Sequence, residues 1–133
     1  MFKCTNHPDL YNRADGAVLY VLRKQFRITT QLIRKIMVKV KPFLKTEVPL
    51  FTKRLAPGLS YAEDPGFNQS FGMSRSQIIA EGIVNAYQLR RSNQTAQFNE
   101  ILKAFKEHGL DINKTHLKPN SHWEYDFNFL NAD

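Results

Sequence analysis

The residues best suited to chemistry lie in the segment 57–82, where turns, hydroxyl side chains and an arginine precede a predicted helix. Ser70, Gly72 and Ser74 lead into Arg75 at the start of that helix. The first N–H groups of a helix have no partner within the helix, and the helix dipole favours negative charge there. An arginine at the same point adds charge-assisted hydrogen bonds to an anion. We therefore predict a phosphate-binding site formed by Ser70, Gly72, Ser74 and Arg75.

Two cations on the segment before this loop could extend the site. Lys53 and Arg54 are adjacent within residues 46–56, which are predicted to be extended. Lys53 would bind phosphate as a point charge and Arg54 as a planar fork. In a regular strand adjacent side chains point to opposite faces, so both cannot face one ligand in regular geometry. We assign Arg54 to the predicted phosphate-binding residues.

The same residues have structural interpretations that require no ligand. Ser74 followed by Gln77 fits a capping box, in which the serine caps the helix and the glutamine reaches back to it. Arg75 could pair with Glu63 or Asp64 in the preceding turn. The sequence leaves these interpretations open beside the phosphate site.

Three amphipathic helices are predicted to surround these residues. The first ends near Pro42 and has Thr29 or Thr30 as its cap. Its apolar residues recur at intervals of three and four: Ile28, Leu32, Ile33, Ile36, Met37 and Val40. Its outer face supplies much of the positive charge of the chain: Arg34, Lys35, Lys39 and Lys41.

The second and third helices follow the candidate phosphate site. The second begins at Ser74 and runs toward Arg90 and Arg91. Its apolar stripe comprises Ile78, Ile79, Ile83, Ala86 and Tyr87. The third covers about residues 95–108 and stops at Gly109, where a glycine favours the left-handed conformation. The inward face of the third helix comprises Phe98, Ile101, Leu102 and Phe105.

Extended segments complete the predicted fold. Residues 17–22 form a short apolar run typical of a buried strand, and Pro49 restricts 46–56 to an edge strand or a strand start. Residues 57–73 are predicted to be a long ordered loop. Alternating aromatic residues predict a strand over 123–129. The expected fold is α+β, with a small mixed sheet and about three amphipathic helices in a single domain.

Composition restricts the partners of the protein. Nineteen Lys and Arg against twelve Asp and Glu give a net charge of +7, which favours an anionic partner, although the charge could serve solubility alone. Cys4 is the only cysteine, so no internal disulfide forms, and the four histidines lack metal-ligand spacing. We predict no metal and no cofactor. No secretory signal or membrane span is visible, which predicts a cytoplasmic protein without a membrane partner.

Several motifs together resemble a known family. The sequences TKRLAPG, AEDPG and SFGMSR occur in that order between residues 52 and 75, after YNRADGAVLY at 11–20 and before HGLDINKTHLKPNS at 108–121. This combination is similar to the C-terminal part of the HopA-type type III effector family, which includes plant-pathogen effectors and cyanobacterial homologues. The resemblance spans most of the chain. It implies that the chain is the C-terminal portion of a longer family domain or a short paralogue.

The resemblance also implies a chemistry. Related domains in some peptide-modifying enzymes are implicated in eliminating phosphate from phosphoserine or phosphothreonine, so a lyase or a phosphopeptide-binding site is implied. Elimination needs a base for the α-proton, cations for the phosphate and an acid for the bridging oxygen. Lys53, crowded by Arg54, is the predicted base. His116 is the predicted acid, with His122 as its alternative.

Two functions from other classes compete with the lyase. The first is a non-catalytic interaction module that binds a phosphorylated or acidic protein. The second is nucleic-acid binding through the basic residues 23–41, which is a weaker hypothesis because charge alone is a weak signal. A chain that lacks the other half of the family domain could also expose apolar surface and form a homodimer. Delivery into a host cell would apply only to a true effector.

Overall fold

Helices and strands in this chain follow from where apolar periodicity begins and where glycine and proline interrupt it. The computed structural model describes residues 1–66 and 69–127. Within those residues there are three α-helices and two pairs of strands, which confirms the α+β class. In chain order the elements are β1 (Phe2–Cys4), β2 (Ala17–Leu19), α1 (Phe26–Val40), β3 (Lys53–Ala56), β4 (Leu59–Tyr61), α2 (Phe71–Gln88) and α3 (Gln94–Glu107).

The strands form two separate pairs where one small mixed sheet was expected. β1 pairs antiparallel with β2, with Phe2 opposite Leu19, and β3 pairs with β4. The Pro57-Gly58 turn joins β3 to β4, and Gly58 takes a left-handed φ of 69°. A Cβ atom on Gly58 would lie 2.4 Å from the carbonyl oxygen of Lys45, so a glycine is required there.

Contacts between Cα atoms divide the chain into two compact units. Unit 1 comprises Met1–Pro49, Arg54–Ser60 and the described residues from Glu124 onward. Unit 2 comprises Leu50–Lys53 and the described residues of Tyr61–Trp123. Every buried apolar residue of the described chain belongs to unit 2: Ile78, Ala86, Ala104, Phe105, Leu110 and Leu117.

The α2–α3 hairpin forms the core of unit 2. Phe105 is fully buried beside Ile78 and Leu110, and burial of one such side chain contributes roughly 1.5–3 kcal/mol. Gly82 lets the helices approach closely, because a Cβ atom there would lie 2.5 Å from the Cα of Ile101. Asn93 caps α3 by accepting a hydrogen bond from the Ala96 N–H at 2.7 Å.

The end of α3 confirms the predicted glycine stop. Gly109 has a φ of 69°, and its N–H donates to the carbonyl of Lys106 at 2.9 Å. The N–H of Leu110 donates to the carbonyl of Phe105 at 2.9 Å. These two bonds define a Schellman motif, in which the buried residue after the glycine packs back on the helix.

Unit 1 is built around α1. Phe26 at the start of α1 contacts two aromatic residues of the tail, Tyr125 at 5.0 Å and Phe127 at 5.5 Å between ring centroids. Of the residues that the structure describes in this unit, Thr30 alone is buried. Its hydroxyl donates to the carbonyl of Arg27 at 2.8 Å.

The predicted helix starts were wrong by about one turn. α1 begins at Phe26 and receives no side-chain cap, so Thr29 and Thr30 lie inside the helix. α2 begins at Phe71, where the hydroxyl of Ser70 accepts from the N–H of Met73 at 3.2 Å. A serine is available at both candidate positions, and a local pattern does not distinguish an N-cap from a residue one turn further on.

The predicted extended segments were partly wrong. Of the run 17–22, only Ala17–Leu19 forms a strand, and it is exposed because the short β1 covers one edge and nothing buries its face. The long loop expected over 57–73 contains β4 and the first turn of α2. Residues 123–127 form no strand, and residues 128 and 129 lie outside the described residues. Neither described range, 1–66 nor 69–127, contains a helix that is long and apolar enough to cross a membrane.

Candidate functional site

His116 lies in a segment of unit 2 whose backbone is fixed by hydrogen bonds. Its backbone carbonyl accepts a hydrogen bond from the N–H of Glu63 at 2.7 Å. The carboxylate of Glu63 accepts a second hydrogen bond from the N–H of Lys118 at 2.9 Å. Glu63 is only 6% exposed, so these bonds are shielded from water. Glu63 therefore binds the chain on both sides of Leu117 and fixes the path of residues 116–118.

Arg75 holds the same segment from the side of α2. Its Nε donates to the carbonyl of Thr115 at 2.8 Å, and its Nη2 donates to the carbonyl of Leu117 at 2.6 Å. Its Nη1 donates to the hydroxyl of Ser74 at 2.9 Å. The guanidinium carbon lies 4.8 Å from the centre of the Phe71 ring.

The burial of Arg75 determines what it can do. The residue has no solvent exposure, and burial lowers the pKa of its guanidinium. Arginine nevertheless stays charged in proteins, so the carbonyls of Thr115 and Leu117 compensate a buried cation. In this structure Arg75 donates hydrogen bonds to the residues on either side of His116. The sequence had predicted that Arg75 would bind phosphate. Its partners are carbonyl and hydroxyl oxygens, so the alternative pairing with Glu63 or Asp64 is also not observed.

Lys53 follows a strained turn that is tied to the His116 segment. Phe51 has a φ of 69°, which is unfavourable for a residue with a side chain and is typical of functional segments. The hydroxyl of Thr115 donates to the carbonyl of Phe51 at 2.9 Å, which ties this turn to the His116 segment. Two residues after the turn, Lys53 begins β3.

The positive charge of Lys53 affects the pKa of His116. Burial is the main cause that lowers the pKa of His116, and the positive charges of Lys53 and Lys114 lower it further. The carboxylate of Glu63 acts in the opposite direction. The ring of Tyr61 approaches the imidazole edge-on, with 6.3 Å between the ring centroids. His116 is therefore mainly neutral at neutral pH, in a local field that is attractive to anions.

Comparison with known proteins places this sequence in a family. The sequence profile of the HopA1 effector protein family matches residues 1–117. The chain belongs to the HopA1 effector protein family. The matched residues include Lys53, Glu63, Arg75 and His116. A search of curated proteins gives no significant match.

The remaining residues predicted for the site of this HopA1-family chain are Arg54, Ser70, Gly72 and Ser74. Ser70 is the N-cap of α2, and Ser74 accepts the hydrogen bond from Arg75. Gly72 lies exposed in the first turn, and a Cβ atom there would meet no other atom within 4 Å. Arg54 falls in unit 1, whereas Lys53 falls in unit 2. The structure thus places Lys53 and His116 in one unit, and Arg75 links Ser74 to the carbonyls of Thr115 and Leu117 beside His116.

Sequence reasoning missed Tyr61 and Thr115 as members of this site, and it treated Glu63 as a turn residue or as an ion-pair partner of Arg75. None of the three follows from local periodicity, because each acts through contacts made far along the chain. Glu63 does lie in AEDPG, one of the motifs that carry the family resemblance. That motif was the one signal that could have marked it.

A second polar group lies beside this site on the HopA1-family hairpin. His108 Nε2 and Glu81 Oε2 are 2.7 Å apart, and both side chains are nearly half exposed. They line a surface depression together with Gln69, Ser74 and Gln77. The pair links the end of α3 to the middle of α2. Clusters of three potential metal ligands are absent from residues 1–66 and 69–127.

Proposed function

We propose that this HopA1-family chain binds phosphoserine or phosphothreonine peptides and eliminates their phosphate. The observation that carries the proposal is that Lys53 and His116, which are far apart in the sequence, lie in one unit, where the positive charge of Lys53 lowers the pKa of His116. An elimination of this kind needs a proton acceptor and a cation on opposite sides of the reacting bonds. The two residues supply these two groups.

The electrostatics favour a specific division of roles. Because its pKa is lowered, His116 is mainly neutral before a substrate binds, while Lys53 acts on it as a positive charge. We assign removal of the α-proton to His116 and binding of the leaving phosphate to Lys53, which reverses the roles expected from the sequence. The Cα–H bond electrons form the new carbon–carbon double bond as the Cβ–O bond breaks. The products are a dehydroamino acid in the peptide and free phosphate, and neither water nor an oxidant is consumed.

Arg75, Glu63 and Thr115 support this chemistry as positioning residues. Together they hold the backbone at residues 115–118 through five hydrogen bonds. A general base must lie within hydrogen-bond reach of its proton, and small displacements of a catalytic group reduce rates strongly. A segment held from both sides suits that requirement.

A non-catalytic phosphopeptide-binding module is the second candidate. The observation that favours it is the burial of Arg75, which removes the expected bidentate phosphate ligand. Lys53 and Lys114, the cations that act on His116, could attract a phosphate without stabilising the charge that develops during elimination. The two candidates differ in product formation.

The test is mass spectrometry of phosphoserine and phosphothreonine peptides incubated with the full chain. Elimination removes the mass of phosphoric acid and leaves a product that adds a thiol, whereas a phosphatase would leave a plain hydroxyl. We expect Lys53→Ala and His116→Ala to lower product formation by at least about a hundredfold, the scale of general acid–base catalysis. Lys106→Ala and His7→Ala are matched controls outside the site and should retain activity.

The pH profile tests the division of roles. If neutral His116 is the base, the rate constant of elimination rises with pH through a pKa below 6.5. If His116 is the acid, the rate constant falls with pH through the same range. Peptide binding that needs Lys53 but yields no product would support the binding module, and the absence of both binding and product would exclude both candidates.

A further inference from the structure

Helix α1 exposes an apolar stripe that unit 1 does not cover. Ile28, Leu32 and Ile36 are 61%, 53% and 55% exposed, and their spacing of four residues aligns them along one side of the helix. On the inner side Ile33 and Met37 are half-buried. Contiguous exposed apolar residues of this kind mark an interaction surface more often than isolated ones do.

Positive charge borders this stripe. Lys35 follows Leu32 by three residues and Lys39 follows Ile36 by three, so both lie beside the stripe on the helix surface. We call Ile28, Leu32, Lys35, Ile36 and Lys39 the docking face. The sequence from 17 to 46 contains eight Lys and Arg and no Asp or Glu. The charge around the docking face is therefore of one sign.

The start of α1 adds a second observation that points to an anionic partner. The helix has no side-chain cap and no acidic residue in its first turn. Arg23 and Lys24 lie in the preceding turn, and Arg27 lies in the first turn. Cations at this end oppose the helix dipole, which reduces the stability of the helix. Local choices that conflict with stability are characteristic of functional surfaces.

We propose that the docking face binds an acidic amphipathic helix of a partner protein. The spacing of four residues matches the anchors of helix-to-helix recognition, and Lys35 and Lys39 would meet acidic residues beside the partner's apolar seam. A second copy of the chain would bring two sets of like charges together, which disfavours it. A nucleic acid would use the lysines and leave the apolar stripe without a role.

A membrane surface fits the docking face less well than a partner helix does. A helix that lies in a bilayer interface inserts its whole apolar face. Here the inner part of that face, which includes Ile33 and Met37, is half-buried within the protein, and a single stripe is left exposed. Such a stripe fits one partner helix.

The test uses a displayed library of amphipathic helices with a fixed leucine seam, whose flanking positions vary among Glu, Gln and Lys. Sorting for binding to the full chain should enrich Glu at the flanks. The double variant Lys35→Glu/Lys39→Glu should shift the enrichment to Lys. Leu32→Gln/Ile36→Gln should weaken the selected helices at least tenfold. The control Lys103→Glu/Lys106→Glu changes the net charge equally on α3 and should keep the preference for Glu.

The outcomes separate the occupants. Circular dichroism first establishes that each variant is folded, which is expected because the substituted side chains are exposed. A failure to enrich Glu, or enrichment unaltered by the charge reversal on α1, would overturn the proposal. The proposal would also be overturned if the chain formed a dimer and the substitutions Leu32→Gln/Ile36→Gln dissociated that dimer. Tighter binding to phosphatidylserine vesicles or to duplex DNA than to any selected helix would do the same.

Discussion

At the residue scale, the sequence identified Arg75 as important but did not predict which groups its side chain contacts. It is fully buried and donates to the carbonyls of Thr115 and Leu117. Replacing it with Met keeps the aliphatic volume and leaves both carbonyls without their charged donor. We expect Arg75→Met to lower the free energy of unfolding by roughly 3 kcal/mol or more, measured by urea denaturation.

Arg54→Met is the matched control at the same scale, because Arg54 is exposed and should change the free energy of unfolding by less than about 0.5 kcal/mol. If Arg75→Met abolished phosphopeptide binding with the free energy of unfolding unchanged, Arg75 would be a ligand-binding residue after all. Its position in SFGMSR at a helix start was readable from the sequence. Its burial was not, because burial depends on the 115–117 segment folding over it.

His116 should make stability depend on pH. Burial and the charges of Lys53 and Lys114 hold the pKa of His116 below its usual value of 6.5. Between the lowered pKa of the folded chain and 6.5, the unfolded chain binds more protons than the folded chain, so acid favours unfolding. We expect the contribution of His116 to stability to be fully present above about pH 6.5 and to decline as the pH falls through the lowered pKa. Urea denaturation across this range should show the decline in the native chain and in His122→Gln, but not in His116→Gln.

At the scale of elements, the contact between α2 and α3 depends on Gly82. Gly82→Ala would place a methyl group against the backbone of Ile101, which cannot move without separating the helices. Overpacking of this kind costs about 1–3 kcal/mol, and we expect a loss at the upper end in thermal or urea unfolding. Gly72→Ala in the same helix meets no neighbour and should be neutral or stabilise by up to about 1 kcal/mol. Equal effects of the two substitutions would contradict the close helix crossing.

The same elements show what periodicity can and cannot predict. The three helices were identified because each carries apolar residues at intervals of three and four, and Gly109 correctly marked the end of α3. The inner face was less well predicted, since Ile83 and Tyr87 of the expected stripe are 52% and 84% exposed. A continuous apolar helix does not reveal which side its partner will cover. The β3–β4 hairpin and the His116 site depend on long-range contacts, which local spacing does not encode.

At the scale of the whole molecule, the two units should differ in stability. Unit 2 contains all the buried apolar residues of the described chain, whereas the largest helix of unit 1 leaves four aliphatic residues more than half exposed. Local opening follows buried apolar contact, so the amides of α1 should exchange with solvent well before those of α2 and α3. Hydrogen exchange followed by mass spectrometry measures this directly.

Adding a helix selected for the docking face should then slow exchange in α1 and leave α2 and α3 little changed, because a ligand stabilises the state to which it binds. The variant Leu32→Gln/Ile36→Gln should show the same early exchange in α1 without the slowing. Equal protection of α1 and α3 in the free chain would mean that unit 1 is stabilised without a partner. In that case the exposed stripe on α1 would give no reason to expect that a bound partner stabilises unit 1.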